Sequence, residues 1–457
     1  MATRNIVNVS DIIDKQKITW TTVLVCMLCF AGQLADGYDL GVVGLTAPGI
    51  IKDFHLTHQQ MAPAFSAAII GMLFGSIGEG YLGDKYGRKL GIIVALLTFG
   101  LGSLMSGFIS GIDSLIVARF ITGVGLGGML PNVTAMMVEY APVKRRATLT
   151  TLSFMGLSFG GMLPGWVSYC LNGESWRSLY LVGTLIPVML VPLFIFLMPE
   201  SLKYMAITGR SKDKLARILR KVSRDQTIST DDTFIINESG KAGGLPQLFE
   251  GRMRLATPFL WIIFMSIMFV NFYVNSWLNL GLRSIGFDAA AAAATNSFYY
   301  IGGACGGLAI GIALDTLGPV ALVITSLIGA VTAVVMSAIG ADHTVIRLLV
   351  FLYGFSILGS QLGYSTLAGL LYPTAHRSKG AGFAQGIGRI GGFIGPLVVG
   401  SLLAAQLEFH TIFSLAAIPL LLCAIATLCC IRAWCGRMTG YRLGQIRQMD
   451  GKAPRHA

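Results

Sequence analysis

Asp36 and Asp39 stand three residues apart inside an apolar stretch covering residues 19–44. That spacing puts both carboxylates on one helical face, where mutual repulsion and loss of water make proton uptake by one of them chemically reasonable. They are therefore the candidates for proton coupling, Asp39 ahead of Asp36. The alternative is that one of them caps a helix break or pairs with Arg119. Arg389 lies in a second apolar stretch with Gln385 one turn before it, among Gly386, Gly388, Gly391 and Gly392. A guanidinium there suits a carboxylate ligand or, structurally, a helix C-terminus or an Asp. Aromatic and amide residues gather at Asn271, Phe272, Tyr273, Asn275, Trp277 and Asn279, again at Asn296, Tyr299 and Tyr300, and at Gln361 and Tyr364. Rings offer a flat apolar slot and amides hydrogen-bond a hydroxyl, so Tyr273, Asn275, Tyr299 and Gln361 join the candidate ligand set. An interfacial aromatic belt would use the same residue types.

The elements that must position these residues follow from composition. Hydrophobic residues make up 54% of the 457-residue chain and charged residues 12%, against roughly a quarter charged in a soluble domain. Apolar runs long enough to cross about 30 Å of hydrocarbon recur twelve times, near 19–44, 60–82, 91–110, 114–137, 148–170, 177–198, 258–281, 289–313, 320–339, 345–371, 380–405 and 410–432. The fold class expected is an all-α polytopic membrane protein of twelve transmembrane helices in two six-helix bundles. Its parts are an N-terminal segment at 1–18, a first bundle at 19–199, a central loop at 200–257, a second bundle at 258–432 and a tail at 433–457. The first span is too long for a signal-peptide core and is expected to remain. In the central loop Leu215, Ile218, Leu219 and Val222 share a helical face opposite Lys214, Arg217, Arg220 and Lys221, which fits a helix on anionic lipid or a solvated linker.

A net charge of +12 could suggest nucleic acid, but the placement of the charges argues against it. Of the 34 Lys and Arg, Arg119 and Arg389 fall inside spans and Lys52, Arg177, Arg283 and Arg347 in loops on one side, leaving 28 on the side of the termini and central loop. By the positive-inside rule both termini are cytoplasmic. A shift of 231 residues superimposes Gly80, Asp84 and Gly87 on Gly311, Asp315 and Gly318, Gly123 and Gly128 on Gly354 and Gly359, and Gly160 and Gly161 on Gly391 and Gly392. Such duplicated halves typically enclose a site near the bilayer midplane and rock about it.

The segment from Gly80 to Lys89 resembles the signature loop of the major facilitator superfamily. Within it, Asp36-Gly-Tyr-Asp39, the run Arg119 to Gly125, Pro199-Glu200-Ser201 and Gly388-Arg389-Ile-Gly391 resemble the aromatic acid:proton symporters. The resemblance implies import of a small organic acid with protons, an aromatic carboxylate such as a (hydroxy)benzoate or protocatechuate, or the related muconate. It also implies alternating access, a bacterial inner-membrane location, a monomer and no cofactor, metal or nucleic-acid partner. Arg119 enters the ligand set on the same ground. A cytoplasmic gate is expected from Gly80, Asp84, Gly87, Arg88, Glu139, Arg145 and Asp315, with Glu139 latching basic residues of the loop and the second copy weakened by Pro319. Glu79 receives no role: its carboxylate is read as snorkelling to the cytoplasmic interface, with joining the latch as the alternative.

Sugar porters share part of these features, but their usual motif after the last span is absent and the acidic pair in the first span is present. A membrane chemoreceptor would need a signalling domain that is not recognisable. Enzymes are argued against by the lack of a Walker loop, a His-Glu-x-x-His or a Gly-x-Ser-x-Gly. Gly386-x-Gly388-x-x-Gly391 has no preceding strand and reads as helix packing. Cys26 and Cys29 read as packing residues, and the alanines after Asp288 as a capped first turn.

Overall fold

The computed structural model describes residues 6–171, 175–209, 212–223, 232–235, 248–251, 253–338, 342–372 and 377–435. Among them, β1 (Ile6–Asn8) and α1 (Val9–Lys15) precede the long helices α2 (Trp20–Asp53), α3 (His58–Tyr86), α4 (Arg88–Gly107), α5 (Ile112–Tyr140), α6 (Arg146–Cys170) and α7 (Trp176–Leu197). The central segment holds α8 (Leu202–Thr208), α9 (Lys212–Ser223) and β2 (Thr233–Ile235). The second series is α10 (Met253–Ser284), α11 (Ala289–Leu317), α12 (Val320–Ala338), α13 (His343–Leu371), α14 (Arg377–Ala404), α15 (Phe409–Leu415) and α16 (Ala417–Cys435). Among the described residues, eleven spans are long and apolar enough to cross a bilayer, α15 and α16 together forming one of them. The twelfth helix is α6, whose Thr, Ser and Gly content keeps it out of that group.

The internal repeat is visible in the helix bounds. Helices α3, α5 and α6 begin at 58, 112 and 146, and α11, α13 and α14 at 289, 343 and 377, each 231 later. Asp288 caps α11, its Oδ1 accepting from the Ala291 amide at 2.6 Å. The first membrane helix differs from the expected span: it runs unbroken to Asp53, so Lys52 sits in its last turn. Glycines at 41 and 44 serve close packing, since a Cβ at Gly41 would meet the Gly161 carbonyl and one at Gly44 the Asn275 carbonyl.

Two compact units emerge from the contacts: Met1–Asp39, Ile70–Gly160 and Tyr180–Ser239 form the first, and Leu40–Ile69, Gly161–Leu179 and Gly240–Ala457 the second. Grouping by contact therefore differs from grouping by repeat, because the ends of α2 and α6 and the starts of α3 and α7 belong with the second-half helices. Asn275 Nδ2 donates to the Leu40 carbonyl at 3.1 Å and Asn279 Nδ2 to that of Leu45 at 3.2 Å.

The first unit has a core of Leu96, Phe99, Leu126, Met129, Met136 and Phe194 that continues into the central segment through Leu202, Met205, Leu215 and Leu219. The apolar face of α9 thus packs on α1 and α8 and turns neither to lipid nor to solvent; hydrocarbon already gathered there by Val9, Ile13 and Met205 is the stronger partner. The side chains of Lys221 and Val222 lie outside the described residues, as does the tail from 436. A two-stranded parallel pairing of β1 with β2 ties the N-terminus to the central segment, an addition to the all-helical expectation.

Candidate functional site

In the first unit α2 and α5 bring Asp39 and Arg119 together. Arg119 Nη1 and Nη2 donate to Asp39 Oδ1 and Oδ2, both at 2.6 Å, with the two side chains 3% and 2% exposed. This is a bidentate, dry ion pair, the geometry in which a guanidinium and a carboxylate satisfy each other best. Asp36, one turn earlier on α2, is also buried. Of the two acids, Asp39 is thus the partner of Arg119. The 231-residue shift places Val270 and Val350 at the equivalent positions, both buried, so the fold accommodates hydrocarbon where the first half holds charge.

The Gly80–Lys89 loop is fastened by the Pro199–Ser201 motif. Gly87 adopts φ 112°, and a Cβ there would strike the Glu200 carboxylate. Glu200 Oε1 accepts from the amides of Lys89 at 3.1 Å and Ser201 at 2.9 Å, placing negative charge at the start of α4, where unsatisfied amides favour it. Asp84 pairs with Arg88, and Arg88 Nη1 also donates to Asn132 Oδ1 at 3.1 Å. Asn132 Nδ2 donates to the carbonyls of Gly128 and Glu79 at 2.8 and 3.2 Å.

Other expected gate residues stand differently. Glu139 accepts from the Ser201 hydroxyl and from the Lys203 amide, so its hydrogen bonds hold the start of α8 instead of basic residues of the loop; the short reach from the end of α5 to Ser201 decides this. Arg145 is exposed and makes no ion pair among the described residues, whereas Arg146 donates to Asp14 at 2.7 Å and to the Ala141 carbonyl. The tight approach to Asn132 is made by Gly83 and Gly91; a Cβ at Gly80 would reach only Pro131, at 3.8 Å. Asp315 is exposed and has no ion pair among the described residues. Glu79 is 5% exposed, so it does not snorkel: its carboxyl group faces Gly128, where only the missing Cβ leaves room.

The second unit carries the amide and phenol groups. Tyr299 OH donates to Asn271 Oδ1 at 2.7 Å, and Asn271 Nδ2 donates to Gln361 Oε1 at 3.2 Å. Tyr299 and Gln361 are therefore joined through Asn271, linking α10, α11 and α13. Tyr300 OH donates to Asn275 Oδ1 at 2.9 Å; with its amide on Leu40, Asn275 has both ends of its side chain engaged by protein. Tyr273 stands apart, its hydroxyl donating to the Ile412 carbonyl at 2.7 Å. On α14, Gln385 and Arg389 are half-buried one turn apart. Gly388 and Gly391 face the carbonyls of Phe264 and Met265 on α10, which is the close helix packing read from the sequence. At the far end of this unit Lys52, Asp53, His58, Trp176 and Arg283 line part of a cavity of about 660 Å³. Asn132 is a hub that spacing alone did not single out, and Asn271, though among the amides noted from the sequence, is legible as a hub only once two other helices are in place.

Long apolar helices in two repeated halves, with dry charges and amide clusters inside them, define a polytopic membrane transporter. The chain belongs to the Major Facilitator Superfamily, which it matches over residues 29–396 and 260–434. It is 31% identical to the 4-hydroxybenzoate transporter PcaK of Pseudomonas aeruginosa, covering 88% of this chain and 91% of that one. To the gallate transporter of Pseudomonas putida it is 31% identical over 92% and 94%. Among solved structures it resembles the inward-open xylose transporter XylE of E. coli, with a TM-score of 0.72 at 16% identity over 94% and 99% of the two chains, a likeness of fold.

Proposed function

We propose that this protein imports a small aromatic carboxylate, a hydroxybenzoate or a close relative, together with protons across the bacterial inner membrane. The observation that carries this reading is its match, over about nine-tenths of its length, to carriers named for 4-hydroxybenzoate and gallate. The chemistry inside the helices supports it. Asn271, Tyr299 and Gln361 form a polar cluster able to exchange hydrogen bonds with a ring hydroxyl, and Arg389 with Gln385 supplies the donors a carboxylate needs. Asp36 and the Asp39–Arg119 pair are the charged groups of the first unit through which protonation acts on α2 and α5. The two repeated halves alternate access as a monomer, with the Asp84–Arg88 loop at the cytoplasmic side fastening and releasing through Glu200.

Uptake of labelled 4-hydroxybenzoate, gallate, muconate and xylose by cells expressing the protein tests this, with and without a protonophore. Saturable uptake of an aromatic acid that the protonophore abolishes is the expected result. Uptake of xylose alone would overturn the substrate class, and aromatic-acid uptake indifferent to the protonophore would overturn proton coupling.

A further inference from the structure

Glu79 is a carboxylic acid in the middle of a membrane protein's packed interior, and nothing in the proposed cycle uses it. Its Oε2 is buried without a hydrogen-bond partner, and the Thr98 side chain on α4 hydrogen-bonds its carboxyl group. A Cβ on Gly128 would overlap the carboxyl group, so α5 carries glycine where the acid needs space. The charged and titratable groups around it are engaged elsewhere. On its own helix Asp84 pairs with Arg88. From α4, Arg88 turns to Asp84 and Asn132, and Lys89 Nζ donates to the Ile195 carbonyl at 2.6 Å. From α5, Glu139 is held by Ser201 and the Lys203 amide. No cation pairs with Glu79 among the described residues.

The repeat supplies an internal control. The 231-residue shift carries Glu79 to Ile310, Thr98 to Gly329, Gly128 to Gly359 and Asn132 to Gly363. In the second half this niche is hydrocarbon: Ile310 is 1% exposed, and a Cβ at Gly363 would meet Ile310 and Leu322. The same packing position is therefore filled without an acid, and the carboxyl group of the first half is an addition the fold does not require.

We propose that the Glu79 carboxyl group is a proton-binding site of the transport cycle, separate from Asp36 and Asp39. A buried carboxyl group without a cation is held in its neutral form, whereas Asp39 beside Arg119 has its charge already met. Thr98 serves either form, since a hydroxyl accepts from a carboxylic acid and donates to a carboxylate. The link to the gate is direct: Arg88 bonds Asn132, and Asn132 bonds the carbonyl of Glu79. Release of the Asp84–Arg88 loop frees Asn132 and admits water from the side of that loop; the carboxyl O–H bond breaks, the proton passes to that water, and in the return half of the cycle the carboxylate takes its next proton from hydronium on the opposite side of the membrane.

This inference rests on the proton coupling proposed above, and the test separates the two. In proteoliposomes, wild-type protein is expected to accumulate 4-hydroxybenzoate under an imposed pH gradient and to exchange it at equilibrium. Glu79→Gln should keep exchange and lose gradient-driven accumulation, and Glu79→Asp should restore accumulation with a displaced pH dependence. Infrared difference spectra across a pH titration, which need no substrate, should show a protonated-carboxyl band that Glu79→Gln removes. Accumulation by Glu79→Gln at the wild-type level, an unchanged carboxyl band, or equal loss of exchange and accumulation in both variants would each overturn the role of Glu79. Wild-type protein that exchanges 4-hydroxybenzoate but does not accumulate it under the gradient would instead overturn coupling itself, and the transport role of Glu79 with it.

Discussion

At the scale of single residues, the Asp39–Arg119 pair shows how function and stability separate. Removing one partner of a buried pair leaves an uncompensated charge, at about 3–5 kcal/mol. Asp39→Asn is therefore expected to lower thermal stability in detergent sharply. The double variant Asp39→Val/Arg119→Val copies Val270 and Val350 and should melt close to wild type, yet transport nothing. A double variant as unstable as the single one would mean that the pair, and not the repeat, holds α2 to α5. Arg389→Ala is expected to cost the charge-assisted hydrogen bonds of a carboxylate, about 1.5–3 kcal/mol, read as a rise in KM for the aromatic acid of roughly ten- to a hundredfold; an unchanged KM would remove Arg389 from the site. The sequence marked the charges at this scale but not their partners. Asp36 and Asp39 share a face, so spacing could not say which one meets Arg119. The burial of Glu79 depends on Gly128, which lies 49 positions away.

Among the elements, the join between α3 and α4 depends on a positive φ at Gly87 and on the Glu200 carboxylate beneath it. Gly87→Ala introduces a Cβ where that carboxylate sits and a backbone conformation disfavoured for alanine, at about 1–3 kcal/mol. We expect it to abolish transport while leaving helix content by circular dichroism unchanged. Glu200→Gln should be milder, since an amide oxygen still accepts from the Lys89 and Ser201 amides; equal loss in both would show that the charge, not the acceptor, is what matters. Elements were the most legible level. The helix starts at 58, 112 and 146 recur 231 positions later even though the capping residues change, Gly111 before α5 giving way to Asp342 before α13. The amphipathic pattern of α9 was equally plain, but its partner was not: a periodic apolar face says that something covers it, and the choice of α1 and α8 over lipid is made in part by residues at the other end of the first half.

For the molecule as a whole, the contact of α2 with α10 along Gly44, Leu40 and Leu45 is one of the places where the two repeats touch within one compact unit. Gly44→Val pushes a side chain against the Asn275 carbonyl and should part these helices. In a background lacking native cysteines, a Cys at position 45 is expected to become more reactive to an impermeant thiol reagent in the Gly44→Val variant, with transport lost. Unaltered reactivity and transport would show that this seam is not part of the cycle. The sequence predicted two halves from their repeat, but not that the ends of α2 and α6 and the starts of α3 and α7 would group with the second half, because glycine stripes announce close packing without naming the partner.

The helix α6 carries a last consequence for how the protein is made. With Thr148, Thr150, Thr151, Ser153, Ser158 and its glycines, it falls outside the group of described helices long and apolar enough to cross a bilayer by length and composition. Gly156 and Gly160 instead lie against the carbonyls of Phe30 and Leu34 on α2, which is synthesised more than a hundred residues earlier. The place of α6 among the membrane helices therefore rests on packing against a partner, α2, made well before it. The order of synthesis, as well as the hydropathy of each segment, is part of what this sequence encodes.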